Sequence, residues 1–291
     1  MDGSACAICF QLGGGMKHNI HFSNPQHEST DEILSDLLST GVNNIILADV
    51  SISEQMADKV DQSGANVLLF DHHKSAIPLA NRKWCTIEKE NNACGSKMLF
   101  QHMLDQNKEQ TYYNKWKELF DLVDDHDRWV KNYSESEDLA LLHLMIGQSM
   151  FIDRFLSHPT KDLTSEERYV INLEKRKMEE EVSEKKRVVQ SSIFKKKING
   201  KEYRFGIITG VKYVSTTGDA LYSDPMLNLD CVVMITGATI SMRSSKACEL
   251  DLSKIAKDNG GGGHKSASGF PMRSLLGMDL PQFVADKIKL L

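Results

Sequence analysis

The sequence predicts an α/β protein: an N-terminal domain built on an open, mostly parallel sheet, a smaller C-terminal α/β domain, and a helical linker joining them. Three observations carry this expectation. Asn44-Ile-Ile-Leu-Ala-Asp49 and Asn66-Val-Leu-Leu-Phe70 are continuous apolar runs rather than alternating ones, as expected of parallel strands buried on both faces. Each follows a stretch with helical signals. A long charged segment, Glu166 to Val189, carries only sparse apolar positions at Val170, Leu173, Met178 and Val182 and reads as a connecting helix. Beyond it, strand-like segments at Glu202 to Thr209, Leu229 to Ile235 and Ala238 to Arg243 mark a second domain. The expected boundaries are 1–160, 161–190 and 191–291.

The elements follow in order. Cys6 and Cys9 form a lone C-x-x-C, and with no second pair to complete a zinc site they read as neighbours in a helical core. Ser29 with Glu32 makes a capping box opening a helix to Thr40, with Ile33, Leu34, Leu37 and Leu38 on one stripe and Gly41 at its C-terminal end. Ser53 caps a shorter helix ending at Gly64, so two strand–helix–strand units are in register. Thr164 with Glu167 is a second capping box at the start of the linker helix. Lys195-Lys-Lys197 reads as a solvated loop, and Asp251 to Asp258 as a helix.

Composition narrows the partners. Of 291 residues 41% are hydrophobic and 26% charged, enough to bury a core. Lys and Arg number 35 against 40 Asp and Glu, a net charge of −5, so long nucleic acid finds no general basic surface. A nucleotide ligand is expected to be small and gripped locally. Apolar runs such as Leu139 to Ile146, interrupted by His143, fall short of the roughly 20 residues of a membrane span. The opening Met-Asp-Gly-Ser shows no basic n-region, and the scattered cysteines suit a reducing, cytoplasmic setting.

The chemistry gathers at strand ends. In an open α/β sheet, ligands bind beyond the carboxyl ends of the strands, where Asp49 and Asp71-His72-His73 fall. Asp49 alone reads first as a turn or cap residue. The triplet is harder to explain by packing, and imidazoles oriented by a carboxylate suit a divalent ion such as Mn²⁺. Leu122-Val-Asp-Asp-His-Asp-Arg-Trp129 places three acids, a histidine and an arginine in eight residues, after a helix with Tyr112, Tyr113, Trp116, Leu119 and Phe120 on its inner side. One acid there is expected as a ligand, and the others as caps or partners of Arg128. Farther on, Gly260-Gly-Gly-Gly-His264 reads either as a flexible loop or as a backbone cradle for phosphate. Arg243 offers a planar fork for a phosphate or for a surface ion pair.

These residues resemble the DHH phosphoesterase superfamily. The signature triplet stands as Asp71-His72-His73, and Ile240-Ser-Met-Arg243-Ser with Gly260-Gly-Gly-Gly-His264-Lys-Ser-Ala-Ser-Gly269 is similar to the DHHA1 domain that accompanies it in oligonucleotide-cleaving members. The resemblance implies Mn²⁺ or Mg²⁺ as cofactor, metal-assisted hydrolysis, and a site in the cleft between the domains. It implies Asp2, Asp49, His72 and Asp125 as metal ligands, with Asp49 bridging and Asp124 the alternative to Asp125. Asp49, His72 and His73 become the catalytic group, and His73, Arg243, Gly261, Gly262, Gly263 and His264 the substrate contacts. The implied substrates are short oligonucleotides, linear or cyclic dinucleotides, or 3′,5′-bisphosphate nucleosides, not long nucleic acid or a membrane; a homodimer stays open.

The chain departs from the family at the first motif, where Met1-Asp2-Gly3-Ser-Ala-Cys-Ala matches only the closing D-G. The family's upstream histidine and first acid would precede Met1. Two expectations follow: a start that truncates an intact hydrolase, or a nucleotide-binding relative with weakened catalysis and one metal site.

Overall fold

In the computed structural model, which describes residues 1–23, 27–106 and 113–277, Asn44–Ala48 (β1) pairs in parallel with Asn66–Asp71 (β2), and β2 in parallel with Cys85–Ile87 (β3). Parallel neighbours need a crossover, and Glu54–Ser63 (α3) supplies it between β1 and β2. The Ser53 hydroxyl accepts the Met56 N–H at 3.1 Å, and Gly64 closes the helix in the left-handed conformation, φ +72°, both as expected. β1 differs from the expectation of burial on both faces. It is an edge strand, so Ile45 and Leu47 are buried while Ile46 is 43% exposed.

The first helices are Asp2–Leu12 (α1) and His27–Ser39 (α2). Ser29 lies inside α2 rather than at its cap, because the helix begins two residues earlier; Ser23 reaches Ser29 and Thr30 instead. Gly95–Gln106 (α4), Lys117–Asp127 (α5) and Ser134–Ser157 (α6) complete the layer that packs with α1. Their core joins Ile8, Leu99, Phe100, Trp116, Phe120 and Phe155, all buried. Cys6 and Cys9 sit in this core as free thiols. Tyr112 lies outside the described residues. Among the described residues α6 is the one helix long and apolar enough to cross a membrane, but Gly147, φ +77°, breaks it, and Leu139, Leu142, Phe151 and Phe155 face the protein core.

Ser165–Val189 (α7) opens on a reciprocal capping box: the Glu167 N–H donates to the Thr164 hydroxyl at 3.2 Å, and the Thr164 N–H to Glu167 at 2.8 Å. The chain divides into two compact units, Met1–Ile171 and Asn172–Leu291, so the division falls inside α7.

The second unit holds a six-stranded sheet in the order β4-β5-β6-β7-β9-β8. Its strands are Ile193–Ile198 (β4), Lys201–Thr209 (β5), Cys231–Thr236 (β6), Thr239–Ser244 (β7), Gly262–His264 (β8) and Ala267–Pro271 (β9). Only β5 and β6 pair in parallel. The lysine run expected in a loop lies instead in β4, at the sheet edge, where exposed lysines discourage pairing with another chain. Val214–Tyr222 (α8) follows β5, its first turn fixed by Glu181 of α7, which accepts the N–H groups of Lys212 and Tyr213 and the Thr217 hydroxyl. Leu252–Asp258 (α9) is capped by Asp251 as its sequence indicates.

The glycine run is not a free loop: Gly262 to His264 pairs antiparallel with β9. A Cβ at Gly261 would run into the Gly269 carbonyl and the Phe270 backbone, and Gly263, φ +131°, packs against Ala267 and Ser268, whereas a Cβ at Gly262 meets nothing within 4 Å. Gly261→Ala is therefore expected to lower the melting temperature by several degrees, at ~2–4 °C for each kcal/mol lost in a protein of this size, and Gly262→Ala to leave it within about a degree. Thermal melting followed by circular dichroism checks this; equal losses for both would show that the run is constrained along its whole length.

Candidate metal centre

Four elements of the first unit converge on one point: the start of α1, the ends of β1 and β2, and the end of α5. They bring Asp2, Asp49, His72 and Asp127 together. The ligand atoms of Asp2, His72 and Asp127 lie within 4.8 Å of one another, as do those of Asp49, His72 and His73. His72 Nε2 stands 3.2 Å from Asp127 Oδ2 and 3.6 Å from Asp49 Oδ1, close enough to pair as ions yet outside good hydrogen-bond geometry.

Asp49 takes an unusual backbone. Directly after β1, held by its N–H to the Phe70 carbonyl at 3.0 Å, it adopts φ +58°, the left-handed region that Asp tolerates better than most side chains. Such conformations cluster at functional sites because the surrounding fold must enforce them. Gly95 is part of that enforcement: a Cβ on it would lie 2.8 Å from Asp49 N and 2.9 Å from its Cα.

The triplet divides its labour. Asp71 is fully buried and its Oδ1 accepts three donors: the N–H of His72 at 2.8 Å, that of His73 at 3.1 Å, and His73 Nδ1 at 2.6 Å. It is thus an orienting residue that fixes the His73 ring, a carboxylate–imidazole pairing common behind metal ligands. Burial opposes charge on His73, but Asp71 outweighs it and raises the imidazole above its ordinary value.

Three acids of α5 were candidates, and the structure separates them. Asp125 does not join the cluster. Its carboxylate accepts the Asn132 N–H at 2.8 Å and the Ser136 hydroxyl at 2.6 Å, tying α5 to the first turn of α6. Asp124, the alternative, is clamped by Arg128 through Nε and Nη2 at 2.8 and 2.7 Å, by Lys97 at 3.1 Å and by the Cys94 N–H at 2.8 Å. Asp127 stands in the cluster instead, which corrects the expectation of Asp125. The physical reason is helix rotation: Asp124 and Asp125 are buried and taken up by Cys94, Lys97, Arg128 and Ser136, whereas Asp127, in the last turn of α5, is partly exposed and reaches His72.

The electrostatics fit a cation. Burial, then the charges of Asp49 and Asp127, push the Asp2 carboxyl up to about 8. For His72, burial opposes protonation, but Asp127 and Asp49 prevail and push the imidazole up to about 11. The Asp127 carboxyl is opposed by burial yet held below its usual range by His72. Asp2 Oδ2 is buried without a hydrogen-bond partner, although Oδ1 accepts the Ser96 N–H at 3.1 Å and the Cys94 thiol at 3.2 Å. Three carboxylates and an imidazole, with one oxygen and both imidazole nitrogens unsatisfied, form groups that could hold a metal ion.

In the second unit, Arg243 donates to the Met242 carbonyl at 2.9 Å and contacts Ser215 Oγ of α8 at 3.5 Å, its stem lying over Gly218. Among the described residues no carboxylate pairs with it. His264, at the end of β8, is exposed.

No family model matches the chain. The oligoribonuclease NrnB of Bacillus subtilis (strain 168) is 25% identical to it over 288 residues, spanning 92% of this chain and 70% of that protein. Among solved structures, the exonuclease RecJ bound to manganese aligns with a TM-score of 0.51 at 11% identity, covering 99% of this chain and 85% of that one. These likenesses bear out the resemblance to the DHH phosphoesterase superfamily. A further DHH domain, from a protein described as a member of the s1p family of ribosomal proteins, aligns with a TM-score of 0.54 at 11% identity over 93% of this chain and 80% of its own. The Asp71-His72-His73 triplet holds one orienting carboxylate and two imidazoles.

Two outcomes follow from the separation of the acids. Asp127→Ala is expected to weaken Mn²⁺ binding at least tenfold with little loss of fold, while Asp125→Ala costs on the order of 3 kcal/mol of stability and leaves the metal affinity of the folded protein within about threefold. Calorimetric titration beside chemical denaturation checks both, and the reverse pattern would restore Asp125 as the ligand. Because Asp2 and His72 both hold protons near pH 7, a divalent ion must displace them, so Mn²⁺ affinity should rise from pH 7 to 9. A dissociation constant unchanged over that range would contradict this charge balance.

Proposed function

We propose that this chain is a metal-dependent phosphoesterase of small nucleotides: short oligonucleotides, linear or cyclic dinucleotides, or 3′,5′-bisphosphate nucleosides. The observation that carries the reading is the convergence of Asp2, Asp49, His72 and Asp127 with unsatisfied buried atoms at the carboxyl ends of parallel strands. Asp2, Asp49, His72 and Asp127 would hold a Mn²⁺ or Mg²⁺ ion. When bound, such an ion supplies Lewis acidity toward a phosphoryl oxygen and makes water more acidic. His73, its ring locked by Asp71, is suited to contact a phosphate oxygen beside the ion.

The second unit is read as the phosphate-holding part. A guanidinium without a carboxylate partner among the described residues, set over the first turn of α8, suits an anion, and Gly262 offers open backbone beside His264. The relative NrnB is an oligoribonuclease, which supports short RNA as the first substrate to try. A net charge of −5 favours short over long strands, and six free cysteines suit a cytoplasmic setting.

With Mn²⁺ present, a ribodinucleotide should be hydrolysed at least tenfold faster than a 20-residue RNA at equal concentration, and a chelator should abolish turnover. Products resolved by chromatography check this. Equal rates on long RNA would overturn the size preference; tight nucleotide binding with no turnover would overturn the hydrolase reading.

A further inference from the structure

Cys94, Gly95 and Ser96, at the start of α4, touch two of the four clustered ligands at once. Gly95 lies against the backbone of Asp49, and only a residue without Cβ can. Its neighbours grip Asp2. The Cys94 thiol donates to Asp2 Oδ1 at 3.2 Å and the Ser96 N–H donates to the same oxygen at 3.1 Å, while Asp2 Oδ2 is buried with no partner. Both donors fall on one oxygen, so the other is left aimed at the cluster it shares with His72 and Asp127.

The gripping turn is itself anchored. The Cys94 N–H donates to Asp124 Oδ1 at 2.8 Å; Asp124 is clamped by Arg128 and Lys97, and Arg128 also donates to the Asn91 carbonyl at 2.7 Å, on the loop leading into Cys94. Cys94 is fully buried, so its rotamer is set by packing as well as by the hydrogen bond. Asp2 lies on the first turn of α1, with a single flexible methylene to direct its carboxylate.

We propose that Cys94 is a positioning residue: its thiol fixes Asp2 so that Oδ2, and not Oδ1, is presented to the divalent ion. The inference rests on the reading of Asp2 as a ligand, and it assigns the thiol no place in the coordination sphere. Partners that orient a ligand in this way are worth about 10- to 100-fold in metal affinity when removed.

The donor role and a packing role make opposite forecasts for two substitutions. Serine keeps an O–H donor but is smaller and more polar than cysteine in an apolar core, whereas alanine removes the donor alone among small side chains. Cys94→Ala should weaken Mn²⁺ binding about tenfold by calorimetry and Cys94→Ser less than about threefold, although both lose some thermal stability. Equal weakening by the two, or none by Cys94→Ala, overturns the proposal. Where Cys94→Ala fails to fold, Cys94→Val, which fills the space without a donor, replaces it under the same criterion. Co²⁺ substituted into the parent protein should show no thiolate charge-transfer band; a band lost in Cys94→Ser would make Cys94 a ligand and overturn the positioning role. Asp2→Asn separates the two levels. If it leaves Mn²⁺ affinity at the parent value, the reading of the metal centre fails; if it weakens binding while Cys94→Ala does not, only the positioning role fails.

Discussion

Three carboxylates facing one imidazole, with too few donors between them, is the constraint around which the first unit is organised. Like charges so close are unfavourable: burial and the neighbouring acids push the Asp2 carboxyl up, and Asp127 and Asp49 raise the His72 imidazole against burial. That arrangement does not favour folding by itself. It persists because four elements deliver the groups from well-packed positions: α1 through Ile8 and Cys9, β1 and β2 through their parallel register, and α5 through Phe120 and Val123.

The acids of this region fall into two kinds. Asp71, Asp124 and Asp125 each receive several N–H or O–H donors and are spent on structure, orienting His73, clamping the start of α4 and tying α5 to α6. Asp2, Asp49 and Asp127 instead stand around His72, with Asp2 Oδ2 buried and without a hydrogen-bond partner. Donors offset the cost of burying the first group, although Asp71 Oδ2 has none, and its contacts keep the second group in place.

Much of this was legible in the sequence. Asp49 and the triplet were found because two apolar runs end on them, and a strand end in a parallel sheet has a known relation to ligands. Asp2 was found only through the resemblance. Asp127 was missed: three acids in four helical positions look alike in composition, and which of them meets His72 is decided by a contact with the end of β2 that spacing alone does not show. The pairing of Asp124 with Arg128, four residues on, was open to a reading from spacing. Cys94 and Ser96 carried no local signal, since their role depends on contact with Asp2 more than ninety residues away. In the second unit the glycine run gave no strand periodicity, so its pairing with Ala267–Pro271 was invisible before the sheet was seen.

The central claim is that Asp2, Asp49 and Asp127, and not Asp124 or Asp125, hold the ion. Anomalous diffraction at the manganese edge from crystals soaked in Mn²⁺ tests it most directly. The account predicts a peak about 2.2 Å from oxygens of Asp2, Asp49 and Asp127 and from a ring nitrogen of His72, a distance typical of oxygen and nitrogen ligands to such ions. A peak beside Asp124 or Asp125, or none in the first unit at saturating Mn²⁺, would contradict it.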